Sequence, residues 1–79
     1  MEIAVVGTPE FTLGFQLAGI SRLHHPNGDE ELAEVMRGLL SQKDVGIVVI
    51  DSADMTRLSD RLRSQIADSI TPTVLGIGT

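Results

Sequence analysis

Four apolar residues, Ile3 to Val6, run without a polar interruption near the start of the chain, and Gly7 follows them. A strand with one wet face alternates apolar and polar residues. An unbroken run instead suits a strand buried on both faces of a parallel sheet. The next residues fit a turn into a helix. Gly7 turns the chain, Thr8 can cap, and Pro9 takes a first helical position, where a backbone N–H has no partner anyway. Phe11 to Ala18 are apolar nearly all round, which predicts a well-buried helix, and Gly19 supplies its stop.

The same rhythm continues. Ile20 to Leu23 is short and half polar, the pattern of a weak edge strand, and His24 to Gly28 reads as a loop. Asn27 followed by Glu30 resembles a capping box, and Glu30 and Glu31 favour the positive end of the next helix. Leu32, Val35, Met36, Leu39 and Leu40 then recur at helical spacing as one apolar stripe. Val45 to Ile50 is a second fully apolar strand, ended by Asp51. A third helix follows, with a narrower stripe of Met55, Leu58, Leu62 and Ile66 and a remaining surface of Asp, Arg, Ser and Gln. Pro72 to Ile77 is the last strand, with proline at the first position, where it is tolerated.

This βαβαβαβ order predicts an α/β fold in which a four-stranded parallel sheet carries helices on both faces. Strand order 2-1-3-4 puts the two most apolar strands in the centre. Right-handed crossovers then place the first helix on one face and the second and third on the other. Such flavodoxin-like sheets, shared with response-regulator receivers, use another helix beside the first, and the sequence stops at Gly78-Thr79 before supplying one. The sheet over the third and fourth strands, around Ile47 to Ile50 and Val74 to Ile77, is therefore expected to be bare unless a partner or a further segment covers it.

Composition narrows the function. The 79 residues are expected to form a single domain, residues 1–79; one this small buries only about 60–65% of its unfolded surface, so stability is marginal. A net charge of −5 argues against nucleic acid as the partner, and the aromatics are only Phe11 and Phe15, so bases have no stacking platform. No cysteine is present, which removes disulfides, thiol catalysis and thiolate metal sites. No apolar run approaches the ~20 residues of a membrane span, and Met1-Glu2 lacks the basic start of a secretory signal. The cytosol is the expected compartment.

The strand ends, where ligands of such folds bind, carry little recognisable chemistry. Gly7-Thr8-Pro9-Glu10 is neither a dinucleotide fingerprint nor a phosphate loop: proline stands where a second glycine is needed, and no G-K-[ST] occurs. Asp51 lies where a receiver carries its phospho-acceptor, so a stand-alone receiver-like signalling domain is the alternative reading. Gly7 and Thr8, however, occupy the place of the magnesium-binding acids, and a capping role for Asp51 is the plainer one. A small enzyme would instead need a pocket gathered around Thr8, His24 and Asp51. His24 and His25 are adjacent, so on an extended segment they point to opposite sides and do not share a metal. Asp54 with Arg57, and Asp60 with Arg63, are i, i+3 pairs on the third helix. No catalytic residue, cofactor or metal is expected.

Longer stretches carry more. Glu2-Ile-Ala-Val-Val-Gly7 with Gly14-Phe-Gln-Leu-Ala-Gly19, then Val45-Gly-Ile-Val-Val-Ile50 and Ile70-Thr-Pro-Thr-Val74, resemble in order and spacing the F subunits of archaeal A-type and related V-type ATP synthases. The resemblance spans essentially the whole chain. It implies a non-catalytic rotor component, peripheral to the membrane on the cytoplasmic side, that helps to couple ATP synthesis or hydrolysis to ion transport. The implied partner is the D subunit of the central stalk, a long helical hairpin. Members of the family continue past the fourth strand into a C-terminal tail helix that can rise towards the catalytic A and B subunits. The resemblance thus sets the sequence in hand as the N-terminal domain without that tail, and makes the bare sheet the place where a tail would pack or where chains would associate. Phe11, Phe15 and Leu17 are read as core. The expected docking residues are His24, His25 and Asn27 in the loop and Arg57, Arg61 and Arg63 on the third helix, with the edge of the last strand as a further candidate; the arginine charges are expected to act together with an apolar patch.

Overall fold

A computed structural model describes residues 1–78. Its elements run β1 (Glu2–Val6), α1 (Pro9–Leu17), β2 (Leu23–His24), α2 (Asp29–Leu40), β3 (Val45–Asp51), α3 (Ser52–Met55), α4 (Asp60–Asp68) and β4 (Thr73–Ile77). The sheet is parallel in the order β2-β1-β3-β4, as the strand patterns require. Its register sets the two faces. Ile3 pairs with Ile47, and Val5 with Val49 and through it Leu75, so these side chains share one face; Ala4, Val6, Val48, Ile50 and Val74 share the other.

The second face carries the core. Ala4, Val6, Val48 and Ile50 pack with Leu32, Met36 and Leu39 of α2, Leu58, and Leu62 and Ile66 of α4. Val35 and Leu40 of the α2 stripe pack against this cluster while only half-buried. α1 lies on the first face, over the buried Val5 and Val49. The structure corrects the sequence there: α1 is not well buried. Thr12 is its one buried polar residue, Phe11 and Phe15 pack with ring centroids 5.5 Å apart, and Leu17 is 79% exposed. An apolar helix buries only the side it turns to the sheet, and among the described residues no second helix covers the flanks of α1. The uncovered sheet expected beside it is present. Ile3, Leu75 and Ile77 are 37%, 46% and 44% exposed on that face, with Ile47 half-buried between them.

Three boundaries also differ. The Asn27 capping box does not form: Gly28, at φ 102°, is the N-cap of α2, without a side-chain hydrogen bond, and Asp29, Glu30 and Glu31 supply the first-turn charge. The single third helix is two. Thr56 to Ser59 interrupt it, Thr56 Oγ1 donates to the Ala53 carbonyl, and Ser59 Oγ accepts the Leu62 N–H at 3.2 Å to start α4 afresh. β2 comprises Leu23 and His24, later than the expected Ile20 to Leu23, because Val5 pairs with Leu23 and Val6 with His24. Thr8 caps α1 as expected, accepting from the Phe11 N–H. A Cβ on Gly7 would come within 2.6 Å of the Phe11 ring, so this turn closes only around glycine.

Met36→Ala, in the closed core, is expected to lower unfolding free energy by about 2–5 kcal/mol in urea denaturation. Leu17→Ser, on the exposed flank of α1, should change it by less than about 0.5 kcal/mol.

Candidate functional site

The first three strands each lead, at their carboxyl ends, into turns already satisfied by their own side chains. After β1, Thr8 caps α1. After β2, His25 Nε2 lies 2.8 Å from Thr12 Oγ1, which also donates to the Pro9 carbonyl. After β3, Asp51 Oδ1 accepts the Ala53 N–H at 3.1 Å and so caps α3. The adjacent histidines do diverge. His25 reaches across to α1, whereas His24 pairs with Val6 on the α2-covered face, where its Nε2 is buried without a hydrogen-bond partner. Burial, then the charges of Arg22 and His25, hold the His24 imidazole below its ordinary pKa.

The arginines expected to contact a partner are mostly engaged within the chain. Arg57 stands in the turn between α3 and α4 and binds Asp29 at 2.7 Å and Asp54 at 3.1 Å, tying the start of α2 to that turn. Its hydrogen bond to Asp29, then that to Asp54, raise its pKa further above the usual arginine range. Arg63 pairs with Asp60 within the first turn of α4. Arg61 makes no ion pair among the described residues; with Arg37, Ser59 and Gln65 it borders an open hollow between α2 and α4. Asn27 is exposed in the loop after β2. The structure therefore leaves the six candidates in two groups, His24, His25 and Asn27 at one edge of the sheet and the arginines around α4. It does not gather them into one cleft.

Sequence reasoning missed two contributors. Arg22 donates at 3.0 Å to both Glu2 and Asp44, joining the chain before β2 to the starts of β1 and β3. Its guanidinium, with help from Glu2, keeps the Asp44 carboxyl below its usual range. Thr12 is the other, a buried hydroxyl inside an apolar stretch. Alternation along β1 and β2 could have placed His25 opposite it. A hollow of about 530 Å³ opens between the ends of α2 and α4, lined by Arg37, Leu40, Ser41, Gln65, Asp68 and Ser69. It lies away from Thr8, His24 and Asp51. Among the described residues, no three acidic or histidine side chains converge on a metal position.

Residues 3–79 match the family model of the ATP synthase (F/14-kDa) subunit. The chain belongs to that family. It is 42% identical over 78 residues to the F subunit of the A-type ATP synthase in Methanospirillum hungatei, covering 99% of this chain and 78% of that protein. It is 45% identical over 80 residues to the corresponding F subunit in Haloquadratum walsbyi, covering 98% and 73%. The crystal structure of the V-type ATP synthase F subunit in Archaeoglobus fulgidus superposes with a TM-score of 0.88 at 38% identity, covering 98% of this chain and 96% of that one. The flavodoxin-like sheet is thus the fold of these F subunits, in relatives from archaea. Nothing in these comparisons supports a receiver, and the Asp51 carboxylate is held as a helix cap.

Asp51→Ala should therefore cost about 1 kcal/mol in urea denaturation, and Asp51→Asn, which still caps, much less. Acetyl phosphate with magnesium should leave the intact mass of the chain unchanged.

Proposed function

We propose that this F subunit is a non-catalytic rotor component that docks on the D subunit of the central stalk, helping to couple ATP turnover to ion translocation on the cytoplasmic side of the membrane. The uncovered apolar strip of the sheet carries this reading. Parallel sheets are ordinarily covered on both faces, yet Leu75 and Ile77 of the edge strand β4 stay open to water, and Ile47, in the row of Ile3 and Thr73, is only half-buried on the same face. β3 and β4 together span roughly 10 Å, the diameter of one α-helix, and their first face is open on either side of the α1-covered Val49. One helix of a hairpin would complete this face as a missing helix of the fold would.

Charge then supplements apolar contact. Arg61 is available without breaking an intrachain pair, whereas Arg57 and Arg63 would have to exchange Asp29, Asp54 and Asp60 for partner carboxylates. Exposed charges contribute little each and are screened by salt, so the strip supplies the larger share of affinity. His24, His25 and Asn27, at the opposite edge, sit outside this docking surface. No helix of the described residues is long and apolar enough to cross a membrane, in keeping with a component held by its protein partners.

Mixed with a purified archaeal D subunit, the chain is expected to elute as a one-to-one complex in size-exclusion chromatography with light scattering. Leu75→Asp with Ile77→Asp should abolish the complex while preserving the circular dichroism spectrum. Reversal of Arg57, Arg61 and Arg63 to glutamate should weaken it less, and by an amount that shrinks with added salt. Absence of a complex under conditions where a longer relative binds would overturn the proposal, as would full affinity in the double aspartate variant.

A further inference from the structure

β2 is the weakest element of the sheet. It is two residues long and lies at the edge, held to β1 through the Val5 N–H to the Arg22 carbonyl at 2.9 Å and the Gly7 N–H to the His24 carbonyl at 3.0 Å. One of its two side chains is a titratable ring with a buried, unpartnered nitrogen. From these features together we infer that β2 is an acid-released edge: protonation of His24 detaches Leu23 and His24 from β1 and takes His25 away from Thr12.

The local chemistry runs in one direction. An imidazolium must present an N–H at Nε2, and among the described residues no acceptor stands there. Among the described residues, the elements around the ring offer no compensating carboxylate. β1 contributes Val5, Val6 and the Gly7 backbone; α1 carries only Glu10, exposed to solvent; α2 turns Leu32 and Met36 to the sheet and keeps Asp29, Glu30, Glu31 and Glu34 outward. Arg22 and His25 are the charges that act on His24, and both oppose a further positive charge. Arg22 is itself committed to Glu2 and Asp44.

The sign follows from proton linkage. A histidine whose folded pKa lies below its ordinary value of about 6.5 binds fewer protons folded than released. The attachment of β2 is therefore fully present above that value and weakens as pH falls from it towards the lowered folded pKa. Edge elements with few hydrogen bonds open locally before the core does. Opening would expose the N–H groups of Val5 and Gly7 and leave the Thr12 hydroxyl without the His25 ring, while the α2–α4 side of the sheet stays closed. This release stands independently of the docking proposed for β4, at the other edge.

The test is amide hydrogen exchange on the full chain, corrected for intrinsic rates, together with the NMR titration of both histidine rings. Between pH 7.5 and 5.5 the protection factors of the Gly7 and Val5 amides should fall by up to about tenfold. They should stay below those of the β3 amides throughout, and His24 should titrate below about 6.5. In His24→Gln the fall should vanish, and in His25→Gln it should persist. Should His24→Gln fail to fold, the wild-type titration still decides. A His24 ring that titrates at or above its ordinary value would overturn the inference. So would protection at Gly7 that ignores pH, or a fall that survives in His24→Gln.

Discussion

The sheet of this protein rests on the pairing of β1 with β3, two strands whose side chains are apolar on both faces. Ile3 to Val6 and Val45 to Ile50 have no polar side to offer water, so they are stable only at the centre, flanked and covered. Everything else answers that demand unequally. α2 and α4 close one face completely around Val48 and Ile50, while α1 alone covers Val5 and Val49 on the other. The excess demand is visible as Ile3, Leu75 and Ile77, half in water. Membership of an ATP synthase subunit family gives that asymmetry a ready reason in the docking proposed above, which would cover the surface that weakens the chain alone.

The architecture was legible in the sequence because it depends on patterns local to each element. Two unbroken apolar runs fixed which strands sit in the middle, and the stripe from Leu32 to Leu40 fixed which side of α2 faces them. The open sheet beside α1 could be anticipated too, by counting helices against strands. What remained hidden depended on distance or on small differences in cap geometry. The stripe Met55, Leu58, Leu62 and Ile66 keeps its spacing across the break between α3 and α4, so periodicity carries no mark of the Thr56–Ser59 turn. Gly28 took the cap of α2 from Asn27 by adopting a positive φ that no side chain competes with. Leu17 gave no warning of exposure, because an all-round apolar helix does not reveal which side meets the sheet.

The candidate site was less legible, for a physical reason. Charges on a helix surface look available when only the helix is considered. Asp29 and Arg57 are far apart in sequence, and only folding brings them to 2.7 Å. That contact turns an expected docking arginine into a brace between α2 and the α3–α4 turn. His24 changed role in the opposite way, from loop residue to strand residue, once the register put it beside Val6. Family resemblance supplied what neither periodicity nor charge could, the expectation of a helical partner, which the docking proposal sets on the apolar strip.

That strip can be tested side chain by side chain. Methyl-resolved NMR of the chain, labelled at isoleucine, leucine and valine and titrated with an unlabelled D subunit, reads each methyl group separately. Shifts and broadening confined to Ile47, Leu75 and Ile77, with Val48, Ile50 and Leu32 unmoved, is the result the docking proposal predicts. Perturbation centred instead on the α2–α4 side, with Leu75 and Ile77 unchanged, would contradict it.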